Sequence, residues 1–351
     1  METLYLTEPE VALRRVGKAL RLEYPDGAVE RAWLSDVRRI FIFGEVSLDQ
    51  EVLIGLAADG ITIAWLTGNG HLRAQMGPGV LPGPPAVLRA QYQAAADPVL
   101  SLENARAIVR ARLRTQAGFL RRHKRNVKIA MRSRPRRRLT PEQLRTLWDR
   151  LWDATHEIDL LLRDARRAKS IRELRGIEGR AGAIYFGCWG MLLRGEEAFL
   201  RRARRPAPDP VNALLSLTYG LLRLEIESQL VAVGLDPRVG FLHVEHGHRP
   251  ALALDLLEEF RAPIADRLAL RLINYGLLRP RDFVFCKDGS CRLSRLGRAV
   301  FFPQYERTME KPFTDLQGRR INYRRLLHIQ AREMAAACRD RRPYVPHQPR
   351  L

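Results

Sequence analysis

A segment rich in proline and glycine, GPGVLPGPPA at residues 77–86, separates two parts of the chain with different periodicities. Before it, apolar and polar residues alternate with a period near two, in runs such as ALRLEY, RRIFIFG and ITIAWLT. This alternation is typical of half-buried β-strands. After it, the apolar residues follow helical spacing. Neither pattern continues through so many prolines and glycines, so the segment predicts a linker.

The two periodicities predict an α+β protein with two domains. A small β-rich, β-sandwich-like domain with one helix is expected at 1–76, the linker at 77–86, and a larger all-helical catalytic domain at 87–351. A chain of 351 residues is also longer than a single core usually is. Ser47 and Gln50 fit a capping box for the early helix, and Thr140 fits the start of a later one. The proline-rich tail RRPYVPHQPRL is expected to be flexible unless a partner orders it.

The charge of the chain indicates a polyanionic partner. Lys and Arg number 60 against 39 Asp and Glu, which gives a formal net charge of +21. Such an excess repels itself in the folded state and suits binding to nucleic acid, with an anionic membrane surface as the second alternative. The most basic stretch, RRHKRNVKIAMRSRPRRR at 121–138, favours contact with phosphates over a merely solvated surface.

The sequence also predicts a cytoplasmic location. No apolar run approaches the roughly 20 residues that span a bilayer, and the first residues lack the pattern of a signal peptide. The four cysteines stand far apart or in unlike contexts, which suits a reduced setting.

The segment ALALDLLEEFR predicts a helix that is apolar around most of its circumference. Asp255, Glu258 and Glu259 share the remaining wedge, because residues three or four apart lie on one face. Such a helix should be mostly buried, and buried carboxylates cost several kcal/mol unless something compensates them. A divalent cation is one such compensation. An ordinary amphipathic helix with a solvated acidic edge is the alternative.

Other candidate ligands lie upstream of that helix. His243, His246 and His248 immediately precede it, and Glu178 stands among glycines and alanines in RGIEGRAGAIYFGCWG. Carboxylates with a single imidazole suit magnesium or manganese. Beside basic surfaces, such a set fits metal-assisted phosphodiester chemistry. No motif indicates a P-loop ATPase or a nucleophile-elbow esterase.

Four segments in order, IEGRAGAIYF, RPAPDPVNALLSLTYGLL, GFLH and LALDLLEEFR, closely resemble the CRISPR-associated DNA integrase family. This family is the universal nuclease subunit of the CRISPR adaptation module. The early segments IFIFGEVSL and GITIAWLTGNG resemble its N-terminal β-domain, so the resemblance covers nearly the whole chain.

The resemblance implies that Glu178, His243 and Glu258 bind the metal, Mg²⁺ or Mn²⁺, with Asp255 as a companion acid in the catalytic site. His246, His248 and the neighbouring Glu259 receive no metal role from it.

The resemblance also implies DNA-positioning roles for Asn212 and Tyr219. Hydrogen bonding at a helix start is an equal alternative for Asn212, and simple packing is an equal alternative for Tyr219.

The activity implied is insertion of short DNA fragments into a CRISPR array, by attack of their 3′-hydroxyl ends on phosphodiesters that flank a repeat. The same site is expected to nick or resolve branched DNA. The implied partners are double-stranded and branched DNA, a second copy of the chain through the β-rich domain, and a small ferredoxin-like subunit that completes a heterohexamer. A repair-type nuclease for branched DNA and a non-catalytic nucleic-acid-binding scaffold are the alternatives.

Overall fold

The computed structural model describes residues 3–44, 46–70, 72–77, 84–132, 140–194, 199, 201–203, 206–243, 247, 249–315 and 317–347. The chain forms two compact units. The first contains Met1–Leu81, Arg204–Leu221 and Leu278–Gln304, and the second contains Pro82–Ala203, Leu222–Leu277 and Tyr305–Leu351. The domain boundaries inferred from the sequence stay a prediction, and these units differ from them by placing two later segments with the N-terminal strands.

The first unit begins with two four-stranded sheets. Its first eight strands are β1 (Thr3–Leu6), β2 (Val11–Val16), β3 (Ala19–Glu23), β4 (Val29–Trp33), β5 (Arg39–Ile42), β6 (Val46–Leu48), β7 (Thr62–Leu66) and β8 (Leu72–Met76). One sheet has the order β1-β5-β7-β8, with β1, β5 and β7 parallel and β8 antiparallel to β7. The other has the order β4-β3-β2-β6, and only β6 pairs in parallel.

One apolar cluster joins the two sheets and the α-helix α1 (Gln50–Ala58). Leu20 of one sheet, Ile40 and Ile63 of the other, and Leu56 of α1 are each completely buried in it. One face of each sheet therefore lies in this cluster. This arrangement confirms the expected β-rich N-terminal region. The helix begins after Asp49, however, and Ser47 lies in β6, so the predicted capping box is wrong.

The later segments of the first unit pack against its strands. They comprise the first half of α6 (Pro210–Ala232), the hairpin β9 (Phe283–Phe285) and β10 (Cys291–Leu293), and the first part of α9 (Arg295–Glu310). Phe302 of α9 stacks on Tyr5 with ring centroids 4.2 Å apart. The Arg298 side chain donates a hydrogen bond from Nη2 to the backbone oxygen of Thr7 at 3.1 Å. Aromatic packing and a backbone bond thus connect distant segments to the sheets.

The described part of the second unit is mostly helical. Its helices include α2 (Pro85–Ala96), α3 (Pro98–Arg132), α4 (Pro141–Arg167), α5 (Ile171–Gly190), α7 (Ala251–Phe260), α8 (Arg267–Asn274) and α10 (Tyr323–Arg339). A π-helical segment at Arg261–Asp266 lies between α7 and α8. The strands β11 (Phe313–Thr314) and β12 (Arg320–Ile321) form a short hairpin. The long α3 packs against α4, α5 and α7. Thr140 is the N-cap of α4, as predicted, and it also forms a capping box with Gln143. In the described residues, no helix is both long and apolar enough to cross a membrane.

The C-terminal segment is packed against the second unit, in contrast to the flexible tail expected from the sequence. The Arg341 guanidinium lies 2.8 Å from the carboxylate of Asp97. The backbone N–H of Tyr344 donates to Asn104 Oδ1 at 2.8 Å, and the Tyr344 side chain is only 2% exposed. The expectation is therefore wrong for residues 341–347. Residues 348–351 lie outside the described residues.

Candidate active site

Asp255 of α7 fixes the loop that carries His243. Its Oδ2 accepts hydrogen bonds from the backbone N–H groups of Phe241 at 2.6 Å and Leu242 at 3.0 Å. Its Oδ1 accepts from the backbone N–H of His243 at 2.9 Å and lies 2.7 Å from Nδ1 of the same residue. These bonds compensate the burial of a carboxylate that has no exposed surface. Asp255 therefore holds the loop at 241–243 and orients the His243 ring.

The tautomer of His243 follows from this contact. Because an ionised carboxylate only accepts hydrogen bonds, the ring carries its proton on Nδ1, and Nε2 keeps a lone pair for a ligand. That Nε2 atom lies 3.9 Å from Oε1 of Glu258. The imidazole therefore faces Glu258, which lies about one helical turn after Asp255.

Gly240 allows the loop to approach α7 closely. A Cβ atom at this position would lie 2.8 Å from both the backbone carbon of Ala251 and Oδ2 of Asp255. Any larger residue would therefore displace the loop from the helix. Arg175 of α5 holds the same loop from the other side, because its Nε and Nη2 donate to the backbone oxygen of Leu242 at 2.7 and 2.5 Å.

Glu178 and Glu258 meet at one nitrogen atom. Oε1 of Glu178, from α5, and Oε2 of Glu258, from α7, both contact Nη1 of Arg112, from α3. The Glu258 side chain is 1% exposed and that of Arg112 is 7% exposed. A second guanidinium, Nη2 of Arg261, lies 2.9 Å from Oε1 of Glu258. Three helices and the π-helical segment after α7 therefore bring two carboxylates and two guanidinium groups together in a largely buried cluster.

The two neighbouring acids of α7 have opposite electrostatic environments. Burial raises the pKa of the Glu258 carboxyl, but the Arg112 and Arg261 guanidinium groups outweigh it and hold this pKa well below its ordinary value. Burial raises the pKa of Glu259 to about 8. Its Oε2 accepts from the Tyr344 hydroxyl at 2.8 Å, away from the cluster. Glu258 is therefore an ionised acid suited to binding a cation, whereas Glu259 anchors the C-terminal segment.

The ligand types of this cluster fit a divalent metal, but their present arrangement does not hold one. Among the described residues, no three His, Cys, Asp or Glu side chains are close enough to hold a metal ion. The Arg112 guanidinium instead takes the position where the two carboxylates converge. A point reached by two carboxylate oxygens, with an imidazole Nε2 nearby, suits Mg²⁺ or Mn²⁺ in charge and in ligand type. Metal binding there requires that Arg112 withdraw.

The other predicted residues lie elsewhere. Asn212 donates from its backbone N–H and its Nδ2 to the Asp209 carboxylate, at 2.7 and 2.6 Å, in the first turn of α6. These bonds are those expected at a helix start. Tyr219 is buried farther along α6. Both belong to the first unit, and their roles toward DNA stay predictions. His246 and His248 lie outside the described residues.

Three basic residues of the site were not identified from the sequence. Arg261 follows Glu258 by three positions, so helical spacing alone could have indicated this pair. Arg112 stands 146 positions from Glu258, and Arg175 stands 67 positions from Leu242. No spacing rule connects residues so far apart. Only the packing of α3 against α7, and the contact of α5 with the loop at Leu242, reveal them.

Comparison with known proteins identifies the family of the chain. A family model described as CRISPR associated protein Cas1 matches residues 4–307. The CRISPR-associated endonuclease Cas1 1 of Moorella thermoacetica is 33% identical over 351 residues, which cover 99% of this chain and 98% of that protein. A Cas4/Cas1 exonuclease–endonuclease fusion of Geobacter sulfurreducens is 35% identical over 98% of this chain, but the match spans only 59% of the fusion.

Solved structures share the fold. The Cas1 protein of Thermotoga maritima has a TM-score of 0.77 at 23% identity, with 99% of this chain and 100% of that chain covered. A casposase bound to its integration product has a TM-score of 0.79, also at 23% identity, with 100% and 96% covered. These matches confirm the α+β fold. The family model and the relative from Moorella thermoacetica confirm the resemblance inferred from the sequence. The chain belongs to the family of CRISPR-associated Cas1 proteins.

Proposed function

We propose that Glu178, His243 and Glu258 form the metal centre with which this Cas1-family endonuclease and integrase cuts and joins DNA. The observation that carries the proposal is the convergence of two carboxylates from different helices on one cationic nitrogen, beside an imidazole that Asp255 orients. Cas1 is a metal-dependent nuclease family. Magnesium and manganese are the metals we propose, because carboxylate oxygens with one imidazole suit both.

Each residue of the centre has a separate task. Glu178 and Glu258 supply carboxylate oxygens to the cation, and His243 supplies Nε2. Asp255 holds the proton on Nδ1 and keeps the ring in place. Arg261 adds a positive charge beside Glu258, where a DNA phosphate must approach. When bound, a divalent cation would neutralise the charge that develops on the phosphoryl oxygens. It would also activate the attacking hydroxyl or water.

DNA is the proposed substrate. The net charge of +21 favours a polyanion, and the relatives are named CRISPR-associated endonucleases. We propose that 3′-hydroxyl ends of short fragments attack phosphodiesters at a CRISPR repeat, and that the same centre nicks or resolves branched DNA. Attack by a 3′-hydroxyl and attack by water differ only in which oxygen is held in line with the phosphate.

The proposed assembly contains further subunits. A Cas6-RT-Cas1 chain solved in complex with Cas2 has a TM-score of 0.80 at 20% identity, although this chain covers only 36% of it. We propose a Cas2-type small subunit, two homodimers of this chain and hence a heterohexamer. Such an arrangement gives each DNA strand its own active site.

A non-catalytic scaffold is a poorer alternative. It accounts for the basic surface but gives no reason for an ionised, almost fully buried Glu258 held beside an oriented histidine. A repair nuclease would use the same centre, and only the choice of DNA substrate separates it from an integrase.

The test is integration of a short labelled duplex into a supercoiled plasmid with a CRISPR repeat, together with cleavage of a branched duplex. His243→Ala and Glu258→Gln should each lower both activities by on the order of 100-fold or more. Asp153→Asn, which removes an exposed acid of α4, is the control and should behave as wild type. Wild-type activity in either site variant would refute the assignment. Branched-DNA cleavage without any integration in the presence of a Cas2-type subunit would favour the repair nuclease.

A further inference from the structure

The helix that carries Glu178 is weak around that residue. Gly176, Gly179 and Gly182 of α5 all stand within four positions of it, and glycine is a poor helix former because ordering it costs more backbone entropy than ordering alanine. A Cβ atom at Gly176 or Gly179 would meet no described atom within 4 Å, so close packing does not require either glycine. Contacts on either side of this stretch must therefore fix the position of Glu178.

One such contact lies one turn before Glu178. Arg175 of α5 donates from Nε and Nη2 to the backbone oxygen of Leu242, at 2.7 and 2.5 Å. Arg175 shares a face of α5 with Glu178, because the two residues are three positions apart. Leu242 immediately precedes His243. This charge-assisted pair of bonds therefore connects the helix of one proposed metal ligand to the loop of another.

A second contact lies two turns after Glu178. The hydroxyl of Tyr185, also of α5, donates to Oδ2 of Asp266 at 2.9 Å, and both side chains are buried. Asp266 is the last residue of the π-helical segment that follows α7. The Tyr185 ring lies edge-on to Phe119 of α3, with centroids 5.8 Å apart, which holds the hydroxyl in place. The bond thus connects α5 to the chain that follows Glu258.

The two contacts reach α7 from its two ends. The loop at 240–243 precedes this helix in the chain, and the π-helical segment follows it. The helix α5 packs mainly against α3 and α4, whereas α7 packs mainly against α3 and the π-helical segment. Arg175 and Tyr185 therefore provide direct links from α5 to both flanks of α7.

We propose that Arg175 and Tyr185 are positioning residues of the metal centre, which hold Glu178 at the distance from His243 and Glu258 that one shared cation requires. Such a constellation must be held within about 0.5 Å of its productive geometry. In this role both residues act through α5, without touching metal or DNA. The proposal rests on the proposed function, because it takes these three residues as the metal ligands.

The first measurement is hydrogen–deuterium exchange of the metal-free protein. Arg175→Met removes the bonds to Leu242 and keeps an unbranched side chain. The amides of residues 241–243, which Asp255 protects, should then exchange about 10-fold faster, because the loop loses one of its attachments. Arg172→Met, at an exposed arginine one turn earlier on α5, is the matched control and should leave this exchange unchanged. Unchanged exchange in Arg175→Met would overturn the role of Arg175.

Tyr185→Phe removes only a hydroxyl and should affect the other flank of α7. Amides of the π-helical segment 261–266 should exchange about 10-fold faster, while those of residues 241–243 keep the wild-type rate. Tyr323→Phe is the matched control, because its hydroxyl contacts the backbone oxygen of Pro263 in the same segment from α10 instead of α5. Unchanged exchange of the segment in Tyr185→Phe would overturn the role of Tyr185.

Binding of Mn²⁺, measured by calorimetry, relates these contacts to the metal centre. Arg175→Met and Tyr185→Phe should each bind Mn²⁺ about 10-fold more weakly, as expected for residues that position metal ligands. Arg175→Lys keeps one charged donor and should recover part of the loss. The controls Arg172→Met and Tyr323→Phe should bind Mn²⁺ like the wild type. An equal loss in Tyr323→Phe would reduce the contact of Tyr185 to general support of the π-helical segment and overturn its positioning role.

Affinity for DNA separates positioning from a phosphate contact. Arg175 is exposed, so its removal could instead weaken DNA binding directly. Fluorescence anisotropy with a labelled duplex in EDTA should give the same affinity for Arg175→Met and Arg172→Met. A specific loss of DNA affinity in Arg175→Met, with wild-type affinity for Mn²⁺, would assign Arg175 to DNA and overturn the proposal.

This proposal and the proposed function fail separately. Glu258→Gln removes a direct ligand, so wild-type affinity of this variant for Mn²⁺ would refute the metal centre itself. Lost affinity in Glu258→Gln, with wild-type affinity in both Arg175→Met and Tyr185→Phe, would keep the metal centre and overturn the positioning roles. Thermal unfolding shows whether each variant is folded, and Arg175→Lys provides the same comparison if Arg175→Met does not fold.

Discussion

Asp255 holds His243 through its ring and its backbone at once, and this double contact connects the loop at 240–243 to α7. Without it, neither the tautomer nor the direction of the imidazole would be fixed. The same carboxylate accepts the backbone N–H groups of Phe241 and Leu242. One buried acid therefore orients the histidine that we propose as a metal ligand, and it does so without a metal contact of its own.

Asp255→Asn should weaken the site without removing a ligand. An amide can replace only some of these acceptor contacts, and it leaves buried N–H groups facing its own NH₂. We expect nicking and integration to fall about 10- to 100-fold, as for other residues that orient a metal ligand. The free energy of unfolding should fall by about 1 to 3 kcal/mol.

Metal titration separates this role from that of a direct ligand. Calorimetry with Mn²⁺ should show weaker but measurable binding to Asp255→Asn, and none at the same site for Glu258→Gln. Equal affinity of Asp255→Asn and the wild type for Mn²⁺ would contradict the positioning role.

Arg112→Met should destabilise the metal-free protein by about 3 to 5 kcal/mol, because it leaves the buried Glu258 with less compensating charge. Added Mn²⁺ should then raise the melting temperature of this variant more than that of the wild type, since no guanidinium has to be displaced. Arg180→Met, at an exposed arginine of α5, is the control. The same Mn²⁺-induced shift in Arg112→Met and the wild type would show that arginine and metal do not compete.

The Tyr344 hydroxyl should contribute to stability through Glu259. Tyr344→Phe removes the hydrogen bond to Oε2 of Glu259 and keeps the ring, so we expect a loss of about 1 to 2 kcal/mol. Tyr344→Ala also empties a buried site and should cost about 3 to 5 kcal/mol. Urea unfolding measures both. A C-terminal segment that was not packed would give no change in either variant.

His123 should make stability depend on pH. Its folded pKa of about 4 lies below the ordinary 6.5, because the ring is buried and near Arg122, Arg194 and Arg267. Between pH 6.5 and 4 the unfolded chain binds a proton that the folded chain does not, so this contribution falls as pH is lowered and is complete above pH 6.5. From pH 7 to pH 5 the wild type should lose roughly 1 to 2 kcal/mol more than His123→Gln.

The exposed His156 of α4 provides the control for this titration. His156→Gln should follow the wild-type pH profile in the same unfolding experiment. Parallel profiles for His123→Gln and the wild type would show that His123 is protonated as readily in the folded chain as in the unfolded chain.

Local features of the fold could be predicted from local sequence. Alternation identified the strands, and Thr140 with Pro141 marked the start of α4, because such signals depend on neighbouring residues. Ser47 was a false cap, since β-pairing of Ser47 with Ala12 outcompeted a helix start there. The packing of Phe302 on Tyr5 depends on tertiary contacts, and no local pattern indicates it.

The residues of the candidate site were also predicted only in part, because tertiary contacts bring some of them together. The acidic wedge of α7 is visible from helical spacing, and the resemblance selected Glu178 and His243. Arg112 could not be inferred, because it stands on a helix whose sequence reads as a basic surface. The structure shows that this residue instead lies buried between the two glutamates.

The central claim is that Glu178, His243 and Glu258 bind one divalent cation. Anomalous diffraction from crystals grown with Mn²⁺ tests it most directly. The account predicts one strong manganese peak at about 2.1 Å from an oxygen of each glutamate and from Nε2 of His243, with the Arg112 guanidinium moved away. A peak bound by other residues, or Arg112 still between the glutamates in crystals saturated with Mn²⁺, would contradict it.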